Sequence, residues 1–171
     1  DIRKVEYELW KKIKEMALKG RRTGLGITAE GDMLAALGLR YGSDEAIDFA
    51  VSVHRTLAVE AYRASVKMAE ERGAFPIYDT EREKGNPMIE RIKEADPELY
   101  AQMEKHGRRN IAMLTIAPTG TTSLMSQTTS GIEPVFRPVY KRRRKINPSD
   151  RDKVATFIDQ TGEKFEEYYV Y

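Results

Sequence analysis

A buried strand that runs through a proline–glycine turn into the start of a helix is the feature that most constrains this chain. Residues 110–116 are mostly apolar, Pro118 and Gly120 break the run, and hydroxyl side chains follow. Backbone N–H groups at the start of a helix lack intrahelical partners and attract anions. Glycine lets a ligand approach the backbone closely. The segment therefore predicts a cradle for a phosphate group, formed by Thr119, Gly120, Thr121, Thr122 and Ser123.

The alternative interpretation of these residues is an ordinary strand-to-helix turn, capped by threonine or serine, that binds nothing. The segment is not a Walker A loop, because no lysine follows Gly120, and it does not contain the G-x-G-x-x-G pattern. Its chemistry indicates an anion without identifying one.

Length and composition predict a globular chain that forms one ordinary domain or part of a larger one. The 171 residues are 40% apolar and 33% charged. The sequence shows neither a run of about 18 apolar residues nor an apolar signal-peptide core. We therefore expect a cytoplasmic protein without membrane contact. Because the sequence starts at Asp1 and not at Met, we also expect it to be a piece of a longer chain.

The charge balance argues against extensive nucleic-acid binding. The net charge is +2, from 29 basic and 27 acidic residues. The one basic cluster, residues 141–145, predicts a solvated strand edge or turn. A role in holding an anionic ligand or RNA is the alternative, which the lack of interleaved aromatic residues disfavours.

Residues able to carry out covalent or metal chemistry are scarce. The chain has no cysteine, which excludes disulfides, thiol catalysis and cysteine-based metal sites. His54 and His106 are far apart and belong to no metal-binding pattern. We expect His54 to be a packed or hydrogen-bonded side chain of a long helix. The sequence thus predicts no catalytic residue and no metal ligand.

Hydrophobic periodicity and turn residues predict alternating helices and extended segments. An apolar stripe at Val5, Leu9, Ile13 and Met16 marks the first helix. Extended segments are predicted at residues 22–28, 110–116 and 137–145. Helices are predicted at about residues 2–19, 29–37, 44–72, 87–94, 97–105, from the cradle to near Thr128, and 149–160.

Two of these predictions depend on single residues. Ser43 is expected to cap the longest helix, and Ser149 with Asp152 resembles a capping box for the last one. Gly24 and Gly26 predict close approach of another backbone or a ligand. Alternation of strands and helices favours an α/β architecture with a parallel component, and the few strands fit a partial barrel.

Several short motifs, taken in order, resemble ribonucleotide reductases, and most closely the adenosylcobalamin-dependent (class II) type. The resemblance covers about residues 20–145. It rests on segments 22–26 (RTGLG), 32–38 (DMLAALG), 75–76 (FP), 117–123 (APTGTTS) and 130–136 (SGIEPVF).

The resemblance implies a ten-stranded α/β barrel of two antiparallel halves with the active site inside. It implies reduction of a ribonucleoside di- or triphosphate for DNA synthesis, by a thiyl radical generated with adenosylcobalamin. The turn at Thr119, Gly120, Thr121, Thr122 and Ser123 corresponds to the family's substrate-phosphate loop. Implied partners are the remainder of the reductase chain and, in a homodimer, a second copy.

The sequence also departs from the family pattern. The Asn-Pro-Cys-Gly-Glu type motif with the radical cysteine is missing, and so are the redox cysteines. Residues 1–171 are therefore expected to be a single interior segment of the catalytic barrel domain, inactive alone. Two alternatives stay open. The first is a segment of a class I large subunit, and the second is a non-catalytic nucleotide-binding module derived from the barrel.

Overall fold

Seven helices and one three-stranded sheet are formed by residues 2–150 and 152–170, which the computed structural model describes. The chain divides into two units, one up to Pro134 and one from Val135 onwards. All helices lie in the first unit and all strands in the second. The helices are α1 (Ile2–Gly20), α2 (Glu30–Ala36), α3 (Asp44–Arg72), α4 (Thr80–Glu83), α5 (Pro87–Ala95), α6 (Pro97–His106) and α7 (Gly120–Ser126).

Helix α3 has the bounds that the sequence predicts. Ser43 precedes it in an extended conformation, and its side chain accepts a hydrogen bond from the Ala46 N–H. Asp44 and Glu45 lie in the first turn, where negative charge is favourable. Gly73 ends the helix with φ 80°, a conformation that favours glycine. Local capping therefore determines both ends of the longest helix.

The core of the first unit lies where α3, α5 and α6 pack together. Asn86 and Asp96 cap α5 and α6, and each cap is followed by a proline at the first helical position. Helices α5 and α6 contact each other, and both contact α3. The buried cluster contains Tyr62, Val66, Ile89, Ile92, Leu99, Met103 and Met113.

Helix α1 is confirmed, but its apolar stripe is not buried in the described residues. Val5, Leu9, Ile13 and Met16 are all exposed, as is Trp10. Only Gly20, at its end, is buried. The helix is thus amphipathic without covering the core of its own unit.

The predicted strand at residues 110–116 is wrong as a regular element, since only Leu114 takes part in a β-bridge. A single parallel bridge joins Leu25 to Leu114, flanked by hydrogen bonds between residues 20–25 and 111–115. The two segments pair only over these few residues. Among the described residues, they do not form an extended parallel ladder. The parallel component that the sequence predicts is therefore present in one bridge.

Close approach of Thr115 explains the Gly24–Gly26 pair. A Cβ atom at Gly26 would lie 2.3 Å from the Thr115 carbonyl oxygen, and one at Gly24 would lie 2.9 Å from the Thr115 Cγ2 atom. Neither distance is compatible with a side chain at van der Waals separation. The structure thus places the Thr115 backbone next to Gly26 and the Thr115 side chain next to Gly24.

Arg108 is a buried cation at the edge of this core. Its guanidinium donates hydrogen bonds to the carbonyl oxygens of Asn110 and Ile111, at 3.1 and 3.2 Å. Its Cζ atom lies 5.4 to 5.8 Å from the ring centres of Tyr62, Phe75 and Tyr78. The side chain therefore connects α3, the segment after it and residues 110–111.

The second unit is an antiparallel sheet in the order β1-β3-β2, with strands β1 (Tyr140–Lys145), β2 (Phe157–Ile158) and β3 (Lys164–Val170). The basic cluster at residues 141–145 lies in β1, an exposed edge strand, which confirms its first interpretation. Lys141 and Arg143 both pair with Glu167 on β3. The basic run is thus partly neutralised within the sheet.

The helix predicted at residues 149–160 is wrong for the described part of that range. Asp150 instead closes a turn by accepting a hydrogen bond from the Asn147 N–H, and Phe157–Ile158 pairs with β3. Ser149 therefore caps no helix, because β pairing by the apolar Phe157 overrides a weak local capping signal. Arg151 lies outside the described residues.

The architecture agrees in part with the predicted α/β class. Helices predominate, and the strands belong to one small sheet; the ten-stranded barrel is not seen among residues 2–150 and 152–170. Within this described part, no helix is both long enough and apolar enough to cross a bilayer.

Candidate functional site

The predicted cradle lies at the start of α7. Thr119 is the residue before the helix and has a left-handed backbone (φ 51°, ψ 28°). Gly120 is exposed, and a Cβ atom there would meet nothing within 4 Å. Thr121 and Thr122 are exposed too, whereas Ser123 is buried and its hydroxyl donates to the Gly120 carbonyl oxygen at 2.9 Å. The five predicted residues therefore form one turn that is open to solvent on its Gly120 side.

The N–H groups at the start of α7 are left without a side-chain cap. Thr119 occupies the capping position, but its side chain makes no capping hydrogen bond to the described residues of the helix. The Ser123 N–H closes the first helical turn by bonding to the Thr119 carbonyl oxygen at 2.8 Å. The N–H groups of Gly120, Thr121 and Thr122 precede this bond and have no acceptor within the helix. This end of α7 is consequently suited to an anion.

The Thr119 hydroxyl bonds to two other loops instead. Its Oγ1 atom accepts from the Gly131 N–H at 2.7 Å and lies 2.8 Å from the Thr28 Oγ1 atom. The Thr28 hydroxyl donates to the Thr129 carbonyl oxygen at 3.2 Å. Thr119 thus joins the loop before α2 to the loop after α7.

Further hydrogen bonds connect the start of α2 to the loop after α7. The Asp32 carboxylate accepts from the Thr129 N–H at 2.8 Å, and the Glu30 N–H donates to the Gly131 carbonyl oxygen at 3.3 Å. The Thr129 Oγ1 atom is buried and has no hydrogen-bond partner among the described residues. Gly31 packs against the same loop, since a Cβ atom there would lie 2.7 Å from the Glu133 carbonyl oxygen. The three loops therefore form a closely packed junction beneath the cradle.

A histidine–carboxylate pair connects this junction to α3. The His54 Nε2 atom lies 2.7 Å from an oxygen of Glu30, which is buried. The prediction that His54 is a hydrogen-bonded side chain of the long helix is confirmed. His106, by contrast, lies 4.0 Å from Glu70 in a different part of the unit. The structure thus brings only one of the two histidines near the cradle.

Sequence reasoning predicted the turn at residues 119–123 but missed the residues that connect it to neighbouring loops: Thr28, Glu30, Asp32 and Thr129. The arrangement of the two extended segments in the sequence carried a signal for these residues. Leu25 and Leu114 are bridged in parallel, so both extended segments end at the same side. Polar residues after the carboxyl ends of parallel strands meet at one edge, and Thr28 and Thr119 do so here.

Comparison with known proteins identifies the family. Residues 2–161 match the family model described as "Ribonucleotide reductase, barrel domain". The chain belongs to this ribonucleotide reductase family.

Individual relatives carry reductase names. Several are called vitamin B12-dependent ribonucleoside-diphosphate reductase. That of Mycobacterium tuberculosis (strain CDC 1551) is 35% identical over 142 residues, 83% of this chain and 18% of the relative. That of Thermoplasma acidophilum is 36% identical over 143 residues, 83% of this chain and 16% of the relative.

A third relative, the ribonucleoside-diphosphate reductase subunit alpha of Treponema pallidum, is 29% identical over 133 residues. These are 73% of this chain and 15% of the relative. The chain thus spans less than a fifth of the length of these curated relatives.

Proposed function

We infer that the chain is part of the catalytic barrel of a ribonucleotide reductase and supplies the loop that binds the substrate's phosphates. The observation that carries this inference is the uncapped start of α7, where the Thr119 hydroxyl bonds to other loops and leaves helix N–H groups open. Family membership supports it. The ten-stranded α/β barrel belongs to the same proposal.

The substrate is a ribonucleoside diphosphate or triphosphate. The relatives' printed names refer to ribonucleoside diphosphates and support the first. In the cradle, the N–H groups of Gly120, Thr121 and Thr122 donate to phosphate oxygens, and the exposed hydroxyls of Thr121 and Thr122 add donors. Because Gly120 has no side chain, the phosphate reaches the backbone without obstruction. The loop binds and orients the substrate and takes no part in proton or electron transfer.

Adenosylcobalamin is the proposed cofactor of the complete enzyme. When bound, it would supply the radical that a cysteine thiol passes to the substrate. The residues of this chain do not by themselves fit that role, since none of the 171 residues is a cysteine. We therefore assign the cofactor to no residue here. The remainder of the reductase chain is the proposed partner, and a homodimer stays a prediction.

We prefer the cobalamin-dependent type to a class I large subunit because the B12-dependent relatives match more of this chain, and at higher identity, than the alpha subunit described above. The relatives named as B12-dependent match 83% of this chain at 35% to 36% identity. The Treponema pallidum alpha subunit matches 73% at 29%. Assaying the complete enzyme with and without adenosylcobalamin separates the two types, because only the preferred one requires the cofactor.

Replacement of Gly120 in the complete enzyme tests the site. Gly120→Val places two methyl groups where a phosphate would contact the backbone, and its Cβ atom meets nothing within 4 Å. We expect the Kd of a ribonucleoside diphosphate to rise at least about tenfold, as for loss of a charge-assisted hydrogen bond. Met125→Val, at an exposed position of the same helix, is the control. Unchanged affinity in Gly120→Val, with Met125→Val also unchanged, would contradict the assignment.

A further inference from the structure

We propose that Thr28 is a positioning residue for the substrate phosphate. It keeps the Thr119 hydroxyl away from the start of α7, so that the N–H groups there stay available. This proposal rests on the phosphate-loop function proposed above and adds a residue from a distant loop to it.

Consecutive hydrogen bonds link the Gly131 N–H, the two threonine hydroxyls and the Thr129 carbonyl oxygen. The backbone groups at the two ends determine the direction of each bond. At one end, the Gly131 N–H can only donate, so the Thr119 Oγ1 atom accepts from it at 2.7 Å. At the other end, the Thr129 carbonyl oxygen can only accept, so the Thr28 hydroxyl donates its one proton there. The Thr28 Oγ1 atom must then accept the Thr119 proton across 2.8 Å. The hydroxyl proton of Thr119 is therefore committed to Thr28.

This arrangement keeps Thr119 out of its ordinary capping role. A threonine before a helix ordinarily has an extended backbone, and its oxygen accepts from the second or third helical N–H, here Thr121 or Thr122. Thr119 instead has φ 51°, which is unfavourable for a β-branched residue. Bonds to Thr28 and Gly131 compensate for that cost. Without the Thr28 hydroxyl, Thr119 loses its proton acceptor, and the capping conformation becomes a competitor.

Capping by Thr119 and binding of a phosphate use the same donors. An N–H bonded to the Thr119 oxygen has to be released before a phosphate oxygen can accept from it. Removal of the Thr28 hydroxyl therefore weakens phosphate binding, although Thr28 is not a member of the cradle. Thr28 follows the Leu25–Leu114 bridge by three residues, so the backbone presents it to Thr119 independently of any ligand.

The test uses the complete reductase with Thr28→Val and Thr28→Ser. Thr23→Val is the matched control, because the Thr23 hydroxyl also donates to a backbone carbonyl, that of Ala112, on the same extended segment. Steady-state kinetics give KM and kcat for a ribonucleoside diphosphate. Inhibition constants are measured for inorganic pyrophosphate and for the unphosphorylated nucleoside.

The expected result is specific to the phosphate. Thr28→Val raises KM and the pyrophosphate inhibition constant about tenfold, the effect of about one lost hydrogen bond, and changes kcat little. The nucleoside's inhibition constant is unchanged. Thr28→Ser, which keeps the hydroxyl, and Thr23→Val stay close to the wild type. If Thr28→Val does not fold, Thr28→Ala removes the same hydroxyl without adding a methyl group.

Two results would overturn the proposal: unchanged pyrophosphate inhibition in Thr28→Val, or an equal loss of affinity for pyrophosphate and nucleoside. The second would show general destabilisation of the site. Failure of the phosphate-loop function is distinguishable, because Gly120→Val would then leave pyrophosphate inhibition unchanged as well. A change in Gly120→Val alone would overturn only the role of Thr28.

Discussion

The guanidinium group of Arg108 donates two hydrogen bonds to the carboxylate of Glu83, at 2.8 and 3.1 Å. The Arg108 side chain is almost fully buried, and Glu83 is largely covered. Glu83 belongs to the short helix α4, whose residues are Thr80, Glu81, Arg82 and Glu83. The pair therefore anchors this stretch to the backbone of residues 110–111, which leads towards the cradle.

Removal of the Glu83 carboxylate leaves Arg108 as a buried, unpaired cation. We expect Glu83→Ala to lower the free energy of local opening at residues 108–115 by about 3 kcal/mol. Amide hydrogen exchange in the complete protein measures that quantity. Glu81→Ala is the control, since Glu81 is exposed and pairs with Lys84. Equal exchange rates in the two variants would show that the Arg108 pair contributes nothing.

Ser65 and Asn110 form a second buried connection. The Ser65 hydroxyl donates to the Asn110 side-chain oxygen at 2.9 Å and accepts from the Asn110 N–H at 3.1 Å. Because Ser65→Ala leaves two buried polar groups unpaired, we expect a loss of about 2 kcal/mol in local stability at residues 109–112. Hydrogen exchange again gives the value. Ser52→Ala, an exposed position on the same helix, should change it little.

Gly26 gives a test of the parallel contact. A Cβ atom in Gly26→Ala would lie 2.3 Å from the Thr115 carbonyl oxygen, so one backbone has to move. We expect about 2 kcal/mol of destabilisation and faster hydrogen exchange at residues 111–116. In Gly120→Ala the added atom meets nothing, and exchange at these residues should stay at the wild-type rate. Similar exchange in both variants would contradict the close approach.

Asp96 makes the stability of the α5–α6 connection dependent on pH. A hydrogen bond from the Leu99 N–H, followed by one from Arg63, lowers the pKa of Asp96. A carboxylate with a lowered pKa in the folded state stabilises the fold above its unfolded pKa of about 3.9. That stabilisation is lost as the pH falls through the folded-state pKa.

The corresponding variant is Asp96→Asn. Between about pH 5 and about pH 3, the wild type should lose local stability in α5 and α6, and Asp96→Asn should lose less. Hydrogen exchange corrected for its intrinsic pH dependence measures both. Asp48→Asn, at an exposed position of α3, should keep the wild-type dependence. If Asp96→Asn also keeps the wild-type pH dependence of local stability, the two hydrogen bonds do not stabilise the carboxylate.

Capping residues and prolines in the sequence correctly predicted the helices whose ends they determine. Ser43 and Gly73 define α3 at both ends, and α5 and α6 begin at prolines that the sequence marks. The helix expected after Ser149 failed because Phe157 pairs with Phe165, eight residues further along the chain, and a capping signal carries no information on such pairing. Where tertiary pairing competes, local propensity is a weak guide.

The candidate site likewise has one part that the local sequence predicts and another part that it does not. Thr119 to Ser123 are contiguous, so their arrangement as a turn is visible in the sequence. Thr28 and Asp32 contact residues 91 and 97 positions away. No pattern in a single sequence reports such contacts directly. The order of the two parallel segments is the only hint, and it was too indirect to identify individual residues.

The separation of Thr28 from Thr119 has a consequence for the order of folding. Contacts between residues that are far apart in the chain form late, because a long loop has to close first. The conformation of Thr119 also requires Gly131, which leaves the ribosome twelve residues after it. Helix α3 can form as soon as its residues are synthesised. The turn at Thr119 is completed only when three separate parts of the chain have met, so a nascent chain acquires its helical core before this turn takes its final conformation.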